Sequence, residues 1–267
     1  MHLREQALDW LRWPNPFEKA RAILASPGRD WVIVPTWQVP EPSGVPGRPP
    51  KPVLVAPNQL QHRSVGSPEG HKAMVHALAH IEANAINLAL DAVWRFAGMP
   101  SAFYRDWWQV ALEEAHHFEL LAAHLNSLGC GYGELPAHDG LWDLAQRTAH
   151  DVLCRMALVP RLTEARGLDA TPVIRKKLVS VGDLAGARIL DVILRDEITH
   201  VAAGNRWYHA LCTQRGLQPI AHFEALLREL NTPSPRGPFN LNARAAAGFT
   251  QDELAWLVAA PAPAHTP

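Results

Sequence analysis

Prolines divide this chain into segments that can form long helices and segments that cannot. Twelve of its 23 prolines lie between Pro14 and Pro68, whereas none separates Pro68 from Pro100 or Pro100 from Pro136. Proline removes a backbone donor and fixes φ, so the interior of a helix tolerates it poorly. We therefore expect an ordered, proline-rich strap that wraps a core, followed by long helices.

Two short helices are expected before and within this proline-rich part. The first covers residues 3–13, and the second begins at Asn15-Pro16, an N-cap followed by a proline at the first helical position. From residue 27 to 68 only 32–34 and 53–55 resemble strands. A disordered linker is the alternative to a strap, but the tryptophans and valines of this segment favour burial.

Four long helices are predicted after the strap from their start and stop signals. Their expected ranges are 68–98, 102–128, 140–166 and 183–216, with a short helix starting at Thr171-Pro172. At 1.5 Å per residue, a helix of about 27 residues spans roughly 40 Å, the length of a helix bundle. We predict an all-α four-helix bundle: 1–68 forms the short helices and strap, 69–216 the bundle, and 217–267 small C-terminal helices, all in one domain.

Charge and composition exclude several classes of protein. The 267 residues carry a formal net charge of -1 from 25 basic and 26 acidic side chains, which disfavours nucleic acid or an anionic membrane as the main partner. No stretch approaches the roughly 18 apolar residues of a membrane helix, and the charged N-terminus does not resemble a signal peptide. Three unclustered cysteines are typical of a reduced compartment. We expect a cytoplasmic protein.

The distribution of histidines, and their spacing from glutamates, is the first indication of a functional site. Eleven of the 14 lie between His62 and His209, and Glu-x-x-His occurs three times, at Glu113/His116, Glu114/His117 and Glu197/His200. Chance alone predicts roughly 0.7 such pairs in a chain of this composition, so the pattern by itself is weak.

The position of these pairs on their helices is more informative. Glu114 and His117 share a helix face with only apolar residues, so they should point into the core. Glu113 and His116 share a polar row and should be solvated. A buried carboxylate is costly unless it is paired or bound to a metal.

The same reasoning finds inward-facing glutamates on the other long helices. Glu197 and His200 lie in an apolar row of the fourth helix, and Glu82 lies alone in an aliphatic row of the first. Glu164 is the candidate on the third helix, where Pro160 should kink the chain one turn earlier. Glu82 precedes Glu114 by 32 residues and Glu164 precedes Glu197 by 33, so each helix pair carries one Glu and one Glu-x-x-His.

This pattern is the ligand set of a dimetal carboxylate bundle. The predicted ligands are Glu82, Glu114, His117, Glu164, Glu197 and His200. Four carboxylates leave two divalent ions close to neutral, as a buried site requires. Two imidazoles favour iron over magnesium or calcium, with manganese or a mixed Mn/Fe pair as alternatives.

The sequence also resembles a known family. The resemblance rests on Ser67 to Lys72, His80-Ile81-Glu82, Glu114 to Phe118, Pro136 to Trp142, Arg195 to Val201 and Gly237 to Asn240. In these segments the chain resembles a bacterial ferritin-like, di-iron-type family of unknown function (domain of unknown function 455). It is similar, more distantly, to the tRNA-modifying di-iron hydroxylases. The resemblance implies a ferritin-like fold and the same six ligands, and it implies no substrate.

These observations predict an oxidoreductase that uses O₂ or peroxide and two metal ions to hydroxylate or oxidise a small or tethered organic substrate. The metal ligands would be its only catalytic residues. We expect the chain to be a monomer or a dimer, with an electron-donor protein as a partner. One alternative is a ferroxidase or iron-handling protein, although the strap would obstruct a closed cage. Another is an RNA-modifying hydroxylase, which the balanced charge disfavours.

Some residues have simpler interpretations. A bundle with buried Glu–His or Glu–Arg pairs, with Arg161 or Arg195 as partners, is the alternative to a metal centre. Asp196 could orient a ligand imidazole, although solvation explains it equally well. We expect His76, His80, His116 and His124 to be surface or packing residues.

Overall fold

The computed structural model describes residues 1–26, 30–61 and 63–259, and within these ranges the fold is all-helical, as predicted. The two strand-like segments of the strap form no strand there. Only an isolated bridge joins Leu54 to Ala137, because Pro52 and Pro57 flank the segment and proline cannot extend a ladder of backbone hydrogen bonds. The strap's residues 27–29 and His62 lie outside the described residues.

The helices run in the following order. They are α1 (Leu3–Leu11), α2 (Pro16–Leu24), α3 (Pro68–Arg95), α4 (Ser101–Ser127), α5 (Gly140–Arg147), α6 (Val152–Leu158), α7 (Ala165–Ser180), α8 (Leu184–Gln214), α9 (Pro219–Glu229), α10 (Leu241–Ala246) and α11 (Gln251–Ala259), with a 3₁₀ turn at Pro57–Gln59 and a π-helical segment at Val159–Glu164.

The fold divides into two compact units. The first contains residues 1–145 and 175–192, and the second contains residues 146–174 and the chain from residue 193 onward. In the first unit α3 packs along α4, α1 packs on α3, and α2 packs on α4. A ferritin-like four-helix bundle and the division at residues 68 and 216 remain predictions.

Local capping residues explain where the helices of the first unit begin. Ser67 Oγ accepts a hydrogen bond from the Gly70 amide at 3.1 Å, and Asn15 Oδ1 accepts one from the Phe17 amide at 3.0 Å. These side chains satisfy amide donors that have no partner within the helix. Pro100 occupies the N-cap of α4 without a side-chain hydrogen bond, and Ser101 is the first residue of the helix.

Arg4 attaches the strap to the helices of the first unit. Its fully buried guanidinium donates to the Pro35 carbonyl at 2.7 Å and to the Trp94 carbonyl at the end of α3 at 2.6 Å. Carbonyl acceptors let a buried guanidinium satisfy its donors without a carboxylate. The described strap is therefore held by backbone acceptors on both sides of Arg4.

Side chains of the strap only partly follow the expectation of burial. Trp31 packs edge-on against Trp10 and Trp108, with ring centroids 6.0 and 5.7 Å away. Val32 and Val53, in contrast, are 66% and 60% exposed. Burial was thus a wrong expectation for Val32 and Val53, because an isolated extended segment presents alternate side chains to solvent, whereas Val34, Val45 and Val55 are half-buried.

The predicted third helix is not continuous. Residues 140–180 form α5, α6, the π-helical segment and α7. The break before α6 occurs because Asp151 acts as an N-cap, accepting from the Leu153 amide at 3.0 Å. Pro160 falls within the π-helical segment, which is consistent with its missing N–H donor. The prediction of one helix with a kink before Glu164 was correct about the distortion and wrong about continuity.

Pro172 also differs from its predicted role, since it lies inside α7 and does not start a helix. A proline there deprives the carbonyl four residues earlier of its helical donor. That carbonyl belongs to Leu168, and the Asn240 side-chain amide donates to it at 3.2 Å. Asn240, 72 positions from Leu168 in sequence, thus supplies the missing hydrogen bond.

The second unit has its own apolar core, formed by residues of α7, α8, α10 and α11. Its buried members are Ala165, Leu168, Val201, Ala243, Ala247, Phe249, Leu254 and Leu257. A capping box starts α11: Thr250 N donates to Glu253 Oε2 at 2.8 Å, and Glu253 N donates to Thr250 Oγ1 at 3.3 Å. Throughout the described ranges, no helix combines the length and apolar character that crossing a membrane requires.

Candidate metal centre

Two helices of the first unit bring three predicted ligands together. Glu82 on α3 and the Glu114/His117 pair on α4 each offer a ligand atom, and these atoms lie within 4.8 Å of one another. His117 Nδ1 is 3.3 Å from Glu114 Oε2 and 3.6 Å from Glu82 Oε2. Long contact between α3 and α4 places the two rows face to face.

Burial of these residues agrees with the helix-face prediction. Glu114 and His117 are fully buried and Glu82 is 4% exposed. The competing residues behave differently: His116 is exposed, and Glu113 accepts a hydrogen bond from Gln109 at 2.8 Å on the polar side of α4. The apolar row therefore distinguished the two overlapping Glu-x-x-His pairs.

The surroundings of this cluster raise the pKa values of Glu82 and His117, so both groups hold protons more tightly than they do in water. Burial, and next the charge of Glu114, raise the pKa of Glu82 well above its ordinary value. Burial would lower the pKa of His117, but hydrogen bonds to Glu114 and Glu82 outweigh it and raise that pKa to about 11. Two carboxylates and an imidazole in an apolar environment thus require either bound protons or a bound cation.

The second unit contains the other predicted ligands. On α8 the His200 Nδ1 lies 3.6 Å from Glu197 Oε1; His200 is fully buried and Glu197 is 8% exposed. Glu164, half-buried, ends the π-helical segment.

Close packing between Pro160 and α8 orients this part of the second unit. A Cβ atom at Gly204 would lie only 2.4 Å from Cβ of Pro160, so only glycine permits the contact. Gly204 follows His200 by one turn on the same face of α8, and Pro160 precedes Glu164 by one turn. The glycine and the proline thus bring the segment that carries Glu164 next to the Glu197/His200 face.

The arginines that could have neutralised the glutamates bind other carboxylates. Arg161 donates to Glu253 at 2.6 Å, and Arg195 donates to Asp196 at 2.7 Å. Asp196 accepts from this neighbouring guanidinium, and its side chain is only 14% exposed.

A second group of ligand-type side chains lies in the first unit, and sequence reasoning missed it. Asp183 Oδ2 is 2.7 Å from His71 Nε2 and 2.8 Å from His124 Nε2. Asp183 Oδ1 also accepts from the Gly186 amide at 2.8 Å and so caps α8. Ordinary hydrogen bonds and a helix cap account for this group, and the residues are too far apart in sequence for a spacing signal.

Packing explains two further histidines, as expected. His76 Nε2 accepts from the Gly133 amide at 3.0 Å, and His80 Nδ1 is 2.9 Å from the Tyr132 hydroxyl. Both rings fix the loop between α4 and α5. Burial is the main cause that lowers their pKa values to about 4, so both rings are neutral at physiological pH.

Comparisons with known proteins identify the family of this chain, and the names that they give describe no activity. A protein of Haemophilus influenzae, described as "Uncharacterized protein", is 53% identical over 216 residues, which cover 78% of this chain and 75% of that protein. No solved structure matches the chain significantly. A family model described as "Protein of unknown function (DUF455)" matches residues 14–255, and the chain therefore belongs to that family.

Proposed function

We propose that this protein is a dimetal carboxylate oxidoreductase whose metals are iron. The observation that carries the proposal is the buried group of Glu82, Glu114 and His117, in which the ligand atoms lie within 4.8 Å of one another. A buried group of this composition fits a divalent cation, because carboxylate and imidazole together are typical ligands of iron, manganese and zinc.

The proposal extends the ligand set to Glu164, Glu197 and His200. Its support is the repeated sequence pattern of one Glu and one Glu-x-x-His in each helix pair, together with the buried Glu197/His200 pair on α8. Four carboxylates would balance two divalent cations, which keeps the net charge of a buried centre near zero.

Bound iron would supply the activation of O₂ or peroxide, and the chain's own residues would hold and tune it. His117 Nδ1 already faces the two carboxylates of the first unit, so binding a cation requires loss of protons and no rearrangement of the ring. The π-helical segment that ends at Glu164 departs from regular α-helix, which would give this carboxylate more freedom to change its mode of ligation.

Metal analysis with absorption spectroscopy tests the proposal. Protein purified from iron-supplied cells should contain about two irons per chain, and Glu114→Ala should lose at least one of them because its carboxylate is one of the three grouped ligands. Glu113→Ala is the matched control, since it removes a carboxylate from the polar face of the same helix.

The outcomes separate the alternatives. Wild-type protein that folds normally but binds no iron, manganese or zinc would refute the dimetal centre. A load far above two irons per chain would favour the iron-handling alternative over an oxidoreductase. Equal metal loss in the Glu113 and Glu114 variants would contradict the assignment of ligands to the apolar row.

A further inference from the structure

Strap residues and helices of the first unit line a cavity of about 170 Å³, and none of the predicted metal ligands lines it. The strap contributes Gly47, Arg48, Pro49, Pro52 and Leu54, and residues of α2 and α3 line other parts of this space. The polar side chains that line it are Lys19, Arg48, His80, Asn84, Asn87 and Tyr132. We refer to it below as the strap cavity.

Lys19 is an uncompensated buried cation in the strap cavity. The side chain is 3% exposed, and its ammonium donates to Asn87 Oδ1 at 2.5 Å and to the Leu11 carbonyl at 3.4 Å. Among the described residues no carboxylate lies within ion-pair distance of it. Lysine is almost never buried without an anionic partner, because desolvation of the ammonium is costly.

Arg48 adds a second positive charge to the same space. It forms an ion pair with Asp139, so the lysine, the arginine and the aspartate leave one net positive charge whenever Lys19 is protonated. Burial is the main cause that lowers the pKa of Lys19 to about 7, and the nearby charge of Arg48 contributes. An anion in the cavity would relieve both unfavourable effects.

Asn84 contributes a hydrogen-bond acceptor that is not satisfied. Its Nδ2 donates to the His80 carbonyl at 3.0 Å, whereas its buried Oδ1 has no donor among the described residues. An unmet acceptor in a buried position costs about 1–3 kcal/mol, and a hydroxyl or amino group of a ligand would satisfy it.

His80, in contrast to Asn84, has no ring nitrogen left to hydrogen-bond a ligand. Its Nδ1 is 2.9 Å from the Tyr132 hydroxyl and its Nε2 is 3.2 Å from the His138 carbonyl, so protein groups engage both ring nitrogens. The imidazole is therefore a wall of the cavity, and the groups left to recognise a ligand are cations and an amide oxygen.

We propose that the strap cavity binds a small organic carboxylate that also carries a hydroxyl or amino group, as in an α-hydroxy or α-amino acid. Its carboxylate lies against Lys19 and Arg48, and its hydroxyl or amino group donates to Asn84 Oδ1. The site does not depend on the metal centre.

An NMR titration of the full-length protein, following the side-chain amide signals of Asn84 and Asn87, tests this site. Sodium glycolate should give saturable shifts, with sodium acetate binding about tenfold more weakly because it lacks the donor for Asn84. Ethylene glycol should give no saturable shift. Inorganic phosphate distinguishes the kind of anion: binding tighter than that of glycolate would overturn the assignment to a carboxylate.

Variants locate the binding. Lys19→Met should lose saturable binding of glycolate, while the exposed strap lysine variant Lys51→Met and the metal-ligand variant Glu114→Ala should retain it. Retention of wild-type affinity in Lys19→Met would overturn the proposal. Wild-type protein that shows no saturation with any anion, or that binds ethylene glycol as well as glycolate, would overturn it without reference to a variant.

Discussion

As pH rises from about 6 to 8, metal-free wild-type protein should lose stability relative to Glu114→Gln, and Mn²⁺ should reverse that trend. The folded first unit raises the pKa of His117 to about 11 and that of Glu82 well above its ordinary value. The corresponding unfolded pKa values are about 6.5 and 4.3. In both cases the folded state binds protons more tightly than the unfolded state does.

The direction of the pH dependence follows from those shifts. A group whose pKa is raised by folding contributes stability that is complete below its unfolded pKa and is lost as pH rises toward its folded pKa. Each extra proton held by the folded state costs about 1.4 kcal/mol per pH unit, so His117 alone accounts for roughly 2 kcal/mol between pH 6.5 and 8. Mn²⁺ competes with these protons, and its binding strengthens as they leave.

Urea unfolding at pH 6, 7 and 8, with EDTA or with excess Mn²⁺, measures both effects. Glu114→Gln removes the main hydrogen-bonding partner of His117, so between pH 6 and 8 wild type in EDTA should lose stability relative to this variant. Lys19, His76 and His80, whose pKa values folding lowers, act in the opposite direction in both proteins. Equal EDTA profiles of wild type and Glu114→Gln would show that the three side chains hold no excess protons. Parallel profiles with and without Mn²⁺ would show that they bind no cation.

Glu253→Ala should cost about 3–5 kcal/mol of folding free energy, the range for breaking one partner of a buried ion pair. Glu253 is 2% exposed and accepts from Arg161 at 2.6 Å and from His209 at 2.7 Å. Its loss would leave the Arg161 guanidinium, itself 3% exposed, without a carboxylate, and would remove the capping box with Thr250.

Asp252→Ala provides the matched control, because Asp252 is the exposed neighbour in the same turn of α11; its variant should remain within about 0.5 kcal/mol of wild type. Burial would raise the pKa of Glu253, but hydrogen bonding by His209 and the charge of Arg161 lower it to about 2. The stability it contributes is therefore present above about pH 4.5 and lost as pH falls toward 2. Thermal unfolding of wild type and Glu253→Gln between pH 3 and 6 should show a larger acid loss in wild type, because the other carboxylates titrate in both proteins, and equal acid profiles would contradict the ion pair's role.

Local signals in the sequence predicted much of the helical framework and the buried group of Glu82, Glu114 and His117. Ser67, Asn15 and the Thr250/Glu253 box act within one turn of chain, so a short window contains all the residues that decide the cap. Likewise, Glu114 and His117 are distinguished from Glu113 and His116 by the apolar row of a single helix. Burial of that row follows from helical periodicity and the hydrophobic effect alone.

Other features depend on residues that meet only in three dimensions. Asn240 satisfies the carbonyl that Pro172 leaves without a donor, and Gly204 lets α8 approach Pro160; neither partner can be found from local spacing. In the sequence, Lys19 cannot be distinguished from a solvated lysine on a helix. It is buried because the strap and Asn87 surround it in the folded chain.

By itself, the sequence determined an all-helical chain, the starts of its main helices and the inward faces that carry Glu82, Glu114, His117, Glu197 and His200. Only the tertiary structure decided how the third helix breaks, where the strap is attached and that a cavity with an uncompensated cation lies beneath it. The physical reason is range: caps and helix faces are set by residues within a few turns, whereas burial, cavities and the compensation of charge depend on what distant segments bring into contact.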